Sequence, residues 1–310
     1  MPVADEQTPM AQPLAYRDGQ FVPAAELAVP IDDAGFMLGV TVPEQLRTFA
    51  GQVFRLPQHL DRLFRGLAIV GVTIPFSRTE LEHAALELVA KNHALLSPGD
   101  DLGLTMFVTP GPLSPLPGRG PLVAMHTKPL PFASWVKLYE NGQNLVTTPI
   151  RQVPGDCWPA ELKCRSRMHY WLADRAAREI DPTARALMLD HDDCVTEAST
   201  ANIVIYDRTV GLIAPPAEKI LPGISMATLA DLAQSLGVPF VNRVLNVEHV
   251  QAADEVLLCS TSPCVWPVLR FNAKAIGIGT PGPIFQQLMA AWSAQVGLDI
   301  VEQARTRSQR

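Results

Sequence analysis

The stretch "ELKCRSRMHYWLADRAAREI", residues 161–180, places three cationic side chains immediately before a segment with the pattern of a helix. Lys163, Arg165 and Arg167 lie within five residues, although only 18% of the 310 residues are charged. We predict the helix over residues 166–179. Two interpretations are open: the cations are solvated at the start of a helix, or they face a bound anion. The rest of the chain must supply groups that favour one of them.

A second segment, "ILPGISMATLADLAQSLGVPF" from Ile220, has the features of an anion-binding helix start. Gly223 allows an unusual backbone turn, Ser225 is expected to be the N-cap, and Gly237 is expected to end a helix over residues 225–236. Free backbone N–H groups and the positive end of the helix dipole attract phosphate at such a start. Taken alone, the segment is also an ordinary helix cap.

Two more segments carry hydroxyl groups or a carboxylate. In "EVLLCSTSPCVWPV" a buried-looking strand runs into Ser260, Thr261 and Ser262, the kind of turn that completes many anion sites. In "DHDDCVTEASTANIVIY" Glu197 falls on a strand, and "HDD" before it is read as a hairpin turn and not as a metal site. A surface loop and a solvated carboxylate are the plain alternatives for these two segments.

The segment "HLDRLFRGL" places His59 and Arg62 one turn apart on one face of a predicted helix. An arginine in that position can bind a phosphate or carboxylate through two nitrogens. By itself it is also compatible with a surface charge.

Composition excludes several classes of protein. The net charge of −6 argues against a nucleic-acid partner, and no apolar run is long enough to cross a membrane. The first twenty residues lack the pattern of a signal peptide. The five cysteines form no CxxC pair and no zinc pattern includes the histidines, which suits reduced thiols and no metal. We therefore expect a cytoplasmic protein.

The order of predicted elements indicates two α/β domains. We expect a loose N-terminal arm over residues 1–14, a smaller domain over 15–127 and a linker over 128–136. A larger domain over 137–303 and a tail over 304–310 follow. Residues 110–121, "PGPLSPLPGRGP", are expected to form a long exposed loop, and "KLYEN" and "VTEASTANIVIYD" are each read as one strand.

No GxSxG elbow, Walker motif or dinucleotide fingerprint is present. The remaining groups are one lysine, one carboxylate, one arginine and two hydroxyl-bearing turns, which together match the needs of pyridoxal phosphate. The order of these groups along the chain and the sequence motifs around them resemble those of the class IV aminotransferases. That family includes branched-chain and D-amino-acid aminotransferases and aminodeoxychorismate lyase. The landmarks of the resemblance are "DDAGFMLGVTVPEQLRTF", "HLDRL", "LK", "VTEASTANI", "LPGIS" and "STSP".

The resemblance implies a fold-type IV α/β (α+β) structure with pyridoxal 5′-phosphate between two domains, and a homodimer. It implies that Lys163 forms the Schiff base and carries the proton, and that Glu197 pairs with the pyridine nitrogen. It further implies a phosphate site formed by Arg62, Ile224, Ser225, Thr261 and Ser262. Tyr170 lies near a position where relatives contact the cofactor.

The sequence departs from its relatives where they bind substrate. Branched-chain enzymes read "VFEGIR" where this chain reads "VPEQLR", and "DLGLTMFV" lacks an arginine that relatives carry. The candidates that remain for substrate binding are Leu38, Glu44, Arg47, Arg165 and Arg167. Arg165 and Arg167 are alternatively only helix-start charges.

The expected activity is transfer of an amino group between an amino acid and a 2-oxo acid, in amino-acid metabolism. A lyase of the aminodeoxychorismate type, which needs no amino acceptor, is the first alternative. A non-catalytic binding protein on the same scaffold is the second.

Overall fold

A computed structural model describes residues 12–309, so most of the predicted N-terminal arm and the last residue of the predicted tail lie outside the described residues. The first half of the chain forms a sheet of six strands in the order β2-β1-β6-β5-β3-β4, covered on one face by two helices. Its elements are β1 (Leu14–Arg17), β2 (Gln20–Pro23), α1 (Ala34–Met37), β3 (Val42–Phe49), β4 (Gln52–Val53), α2 (Leu56–Val70), α3 (Arg78–His93), β5 (Leu102–Thr109) and β6 (Leu122–Pro129).

The second half forms a sheet of nine strands in the order β12-β11-β10-β13-β14-β7-β8-β9, with β15 on the side of β14. Its strands are β7 (Gln143–Arg151), β8 (Ala184–Leu189), β9 (Val195–Ala198), β10 (Asn202–Asp207), β11 (Gly211–Ala214), β12 (Phe240–Asn242), β13 (Glu255–Ser260), β14 (Cys264–Phe271) and β15 (Lys274–Ala275). Its helices are α4 (Phe132–Asn141), α5 (Met168–Ile180), α6 (Ile224–Ser235), α7 (Val247–Ala252), α8 (Pro283–Val296) and α9 (Ile300–Arg307). Each sheet has its own hydrophobic core, which agrees with the predicted mixed α/β architecture.

The helices of the first half follow their local signals. α2 has a proline in its first turn, ends at Gly71 in the left-handed conformation, and buries Leu60, Leu63 and Leu67. α3 begins with the predicted capping box, in which Ser77 and Glu80 bond each other's backbone. The predicted loop over residues 110–121 joins β5 to β6.

Two local predictions of secondary structure are wrong. "KLYEN" is the end of α4 and not a strand, because Phe132, Trp135 and Tyr139 recur at helical spacing and are buried together. "VTEASTANIVIYD" is two strands, since the chain breaks after β9 at Thr200, which has a φ of +64°. α9 extends into residues 304–307, the first part of the predicted C-terminal tail.

The predicted cap of α6 is also wrong. Gly223 is the N-cap, and Ser225 lies inside the first turn of the helix. The φ of Gly223 is −68°, an ordinary value, so no unusual turn is made there. A Cβ at Gly223 would instead lie 2.0 Å from Asn202 Oδ1, so close approach and not backbone conformation requires glycine.

The predicted linker over residues 128–136 contains the last residues of β6 and the first half of α4. The domain boundaries themselves stay predictions. Among residues 12–309, no helix is long and apolar enough to cross a membrane, and no cluster of three or more His, Cys, Asp or Glu side chains could hold a metal ion.

Candidate active site

One cavity collects most of the predicted site residues. It lies where α2 of the first half meets the segment before α5, the start of α6 and the turn after β13, and its empty space, open mouth included, is about 840 Å³. The predicted residues that line it are Arg62, Lys163, Arg167, Tyr170, Glu197, Ile224, Ser225 and Thr261.

Lys163 presents an amine whose charge is disfavoured. Burial is the main reason that its pKa falls to about 7, and Arg62, Arg167 and Arg165 lower it further, against the opposing effect of Glu44. The sequence predicts only the like-charge repulsion, whereas burial is the larger cause. At neutral pH a large fraction of the amine is therefore uncharged, which is the form able to attack a carbonyl carbon.

Glu197 is held by side chains from three other segments. Its Oε1 accepts hydrogen bonds from the Tyr170 hydroxyl at 2.5 Å and from Gln152 Nε2 at 2.9 Å, and Oε2 accepts one from Asn202 Nδ2 at 3.3 Å. Burial raises the pKa of Glu197, while its hydrogen bonds and the charge of Lys163 lower it. The break at Thr200 matters here, because it brings Asn202 back to the Glu197 carboxylate.

Gln152 and Asn202 are site residues that the sequence analysis missed. Asn202 belongs to the quoted segment around Glu197, so that segment could have suggested it. Gln152 follows β7 and has no local motif, and only the pairing of β7 with β8 brings it to the cavity. Its Oε1 is buried without a hydrogen-bond partner in the described part of the chain.

Arg62 is fixed by a buried ion pair. Its Nε and Nη2 donate to the two oxygens of Glu44 at 2.7 and 2.8 Å, and its Nη1 donates to the Pro222 carbonyl at 2.9 Å. Glu44 also contacts His59 Nδ1 at 2.7 Å. The pairing of His59 and Arg62 on one face of α2 is thus confirmed, and both face β3.

The bond to Pro222 places the Arg62 guanidinium beside the first turn of α6. The backbone N–H groups of Ile224 and Ser225 in that turn have no hydrogen-bond acceptor within residues 12–309. Thr261 lines the same cavity. A cation, free N–H groups and hydroxyls together suit a phosphate better than any one of them alone.

Several predicted substrate residues lie elsewhere. Arg47 is fully buried away from the cavity, where its guanidinium donates to the carbonyls of Thr48 and Ser262 and to Gln303 Oε1. Glu44 is occupied by Arg62 and His59. Neither side chain lines the cavity and both are bonded inside the protein, so the positions of Arg47 and Glu44 do not support the predicted role in substrate binding.

Three more predicted residues lie outside the cavity lining. Leu38 is exposed at the end of α1, and Ser262 contributes its carbonyl to Arg47. Arg165 is also exposed, with its backbone N–H bonded to the Thr41 carbonyl at 3.0 Å. Of the predicted substrate residues, only Arg167 lines the cavity.

The donor set fits the cofactor that the sequence implies. Arg62, the start of α6 and Thr261 can hold its phosphate, Glu197 can pair with its ring nitrogen, and Lys163 offers an amine. Gln152 Oε1 is buried without a partner among the described residues, so the cavity has a hydrogen-bond acceptor available for a bound group.

Comparison with known proteins supports the same reading. The family model described as amino-transferase class IV matches residues 41–271. D-alanine aminotransferase of Bacillus licheniformis is 28% identical over 279 residues, covering 88% of this chain and 94% of that protein. A putative branched-chain-amino-acid aminotransferase of Methanocaldococcus jannaschii is 27% identical over 277 residues, covering 88% and 93%.

Among solved structures, the branched-chain aminotransferase of the archaeon Thermoproteus uzoniensis with norvaline superposes with a TM-score of 0.81. It is 26% identical, over 92% of this chain and 95% of that one. Because the family model covers well over half of the sequence, the chain belongs to the class IV amino-transferases, fold-type IV enzymes that move amino groups with pyridoxal 5′-phosphate.

Proposed function

We propose that this aminotransferase exchanges an amino group between an amino acid and a 2-oxo acid in the cavity around Lys163. The observation that carries the proposal is the meeting of a low-pKa amine, a buried carboxylate and an anion-binding helix start in one cavity. Neither the lyase nor the binding-protein alternative is favoured by a separate feature of the site.

In this proposal the residues of the chain have distinct tasks. Bound pyridoxal phosphate supplies a ring that takes up the electrons left at the substrate α-carbon when its proton departs. Lys163 Nζ accepts the proton from the substrate α-carbon and then delivers it to C4′ of the cofactor. Glu197, oriented by Tyr170 and Gln152, keeps the ring nitrogen protonated. Arg62 and Ser225 anchor the phosphate.

The test is a half-reaction with single amino acids. Both D- and L-amino acids should be supplied, because one relative is named for D-alanine and another for branched-chain amino acids. We expect amino acids of one configuration, D or L, to convert the yellow holoenzyme to its pyridoxamine form, which absorbance follows. Product analysis should find one 2-oxo acid released per site. Release of pyruvate from aminodeoxychorismate without any amino acceptor would instead support the lyase. Failure of the protein to take up the cofactor would support the non-catalytic binding protein.

We also propose a homodimer. Large apolar side chains are exposed on α1 and α5: Phe36 is 66% exposed, Leu38 62%, Met168 69% and Trp171 66%. The bond from Ser166 Oγ to the Gly39 carbonyl, 2.9 Å long, joins the segment after α1 to the segment before α5, so we expect these side chains to contribute to one apolar surface. Patches of this kind mark interaction sites in soluble proteins, and a second copy of the chain is the occupant that the resemblance favours.

The expected mass in solution is twice 33.7 kDa, measured by light scattering, and Trp171→Asp should shift it toward one chain. A single-chain mass for the unaltered protein would contradict the dimer. A cytoplasmic location is proposed as well, because all five cysteines are free, as in a reducing compartment.

A further inference from the structure

The turn between β13 and β14 lies at the edge of the cavity. It consists of Thr261, Ser262 and Pro263, between the paired residues Ser260 and Cys264. Ser260 and Thr261 line the cavity, whereas Ser262 and Pro263 lie outside the lining. Cys264 has a φ of +62°, a left-handed value that glycine adopts without cost and that is strained for a residue with a side chain. The surroundings must therefore hold this turn in place.

Two buried side chains bind the turn from outside the cavity. Arg47 Nη1, from β3 of the six-stranded sheet, donates to the Ser262 carbonyl at 2.8 Å. The Tyr139 hydroxyl, from α4, donates to the Pro263 carbonyl at 3.0 Å. Neither Arg47 nor Tyr139 lines the cavity. Two successive carbonyl oxygens of the turn are thus bonded to donors outside the cavity, and a phosphate in the cavity does not have to compete with them.

The Arg47 guanidinium is itself fixed on several sides. Its Nη2 donates to Gln303 Oε1 of α9 at 3.0 Å, and Gln303 Nε2 donates to Asp101 Oδ2 at 2.7 Å. The guanidinium carbon lies 4.0 Å from the centre of the Phe49 ring and 5.1 Å from that of the Trp135 ring. Aromatic faces at these distances attract a cation. The donor that holds the turn is therefore rigid.

The charge of Arg47 has no direct counterion. Among residues 12–309 no carboxylate forms an ion pair with it, and Asp101 is linked to it only through Gln303. A buried charge without a counterion is costly. Attraction between buried charges is screened by little water, so a phosphate held at Thr261 would offset part of the cost of burying Arg47.

We propose that Arg47 and Tyr139 are positioning residues of the phosphate site. They fix the carbonyls of Ser262 and Pro263, which holds the turn so that Thr261 presents its hydroxyl to the cofactor phosphate, and the charge of Arg47 strengthens the attraction. This inference rests on the proposed function, because it takes Thr261 as part of the phosphate site. It gives Arg47 a task that needs no contact with the substrate.

The experiment compares two ligands that differ only in the phosphate. The full-length apo-protein is titrated with pyridoxal phosphate and with pyridoxal, and absorbance gives the dissociation constant of each. The variants are Arg47→Met, Arg47→Lys and Tyr139→Phe. The matched control is Tyr16→Phe, which changes another buried tyrosine, on β1 and outside the cavity lining. Phosphorus NMR of the bound cofactor reports the surroundings of the phosphate separately from the stability of the fold.

We expect Arg47→Met to weaken the binding of pyridoxal phosphate about tenfold and Tyr139→Phe about threefold, the effects of losing a charged and a neutral hydrogen bond. The affinity for pyridoxal should change less than about twofold, because it has no phosphate for the turn to hold. Arg47→Lys keeps the charge but not the fork of donors, so it should restore part of the loss. The phosphorus resonance should shift in Arg47→Met and Tyr139→Phe and stay unchanged in Tyr16→Phe.

Equal losses for pyridoxal phosphate and pyridoxal would overturn the inference, since the two side chains would then support the fold alone. Unchanged affinities in Tyr139→Phe and Arg47→Lys would overturn it as well, and these two variants decide the matter if Arg47→Met does not fold. If the unaltered holoenzyme forms but converts no amino acid, the proposed function fails, and the ratio of the two affinities still tests the positioning of the turn.

Discussion

Lys163→Ala is expected to abolish amino-group transfer. The substitution removes both the amine that captures the cofactor and the base that carries the proton, and the proton transfer alone contributes about 10²–10⁴-fold to the rate. The yellow colour of the holoenzyme should also be lost, because no other lysine lines the cavity in the described residues. The measurements are the rate of 2-oxo acid formation and the visible spectrum after gel filtration.

The fold should survive this change. The pKa of Lys163 is about 7 chiefly because burial disfavours its charge, and after its removal the buried Glu197 keeps its hydrogen bonds from Tyr170, Gln152 and Asn202. Unfolding in urea should therefore occur at the same or a slightly higher concentration. Lys137→Ala, on α4 and away from the cavity, serves as the control. A Lys163→Ala protein that still carries a borohydride-reducible cofactor would show that another lysine has the role.

Local sequence signals are enough to predict where a helix or strand begins or ends when all the residues that decide it are close together in the sequence. The capping box at Ser77, the glycine at the end of α2 and the turn before β9 depend on residues within four positions of each other. The start of α6 is located as well, but its cap is misassigned to Ser225. The reason is that glycine is required at position 223 by the close approach of Asn202, and no local pattern reveals a contact between residues so far apart in the sequence.

The predicted substrate residues that lie outside the cavity lining have the same origin. Glu44 and Arg47 are charges on a strand, which suggests contact with a ligand, but their partners come from α2 and from distant Ser262 and Gln303. Pairing across such separations is decided by sheet order and domain packing. The cofactor side of the cavity is more predictable, because each of its groups sits in a compact motif whose order along the chain is informative.

The second large effect concerns stability. Glu44→Ala is expected to lower the free energy of unfolding of the apo-protein by about 3–5 kcal/mol. The carboxylate accepts both parallel hydrogen bonds of the Arg62 guanidinium, and the two side chains are 1% and 4% exposed. Without it, a buried guanidinium keeps only the Pro222 carbonyl as a partner, and His59 loses its hydrogen bond at Nδ1. Urea unfolding of the apo-protein measures the loss.

The size of the loss should depend on pH. Burial alone would raise the pKa of Glu44, but Arg62 and His59 lower it from 4.5 to about 2. A carboxyl group with a lowered pKa in the folded state contributes its full stabilisation above its unfolded pKa, and the contribution declines as the pH falls toward the folded value. The difference between the unaltered protein and Glu44→Ala should therefore be constant near neutral pH and shrink below about pH 4.5.

Two comparisons separate the buried pair from a general effect of charge. Glu82→Ala removes a partly exposed partner of Arg78 on α3 and should cost no more than about 1 kcal/mol. Bound pyridoxal phosphate would place a new anion beside Arg62, so the Glu44→Ala loss should be smaller in the holoenzyme than in the apo-protein. A Glu44→Ala loss as small as that of Glu82→Ala would mean that water reaches the Arg62 guanidinium. An equal loss with and without cofactor would mean that Arg62 does not receive the phosphate.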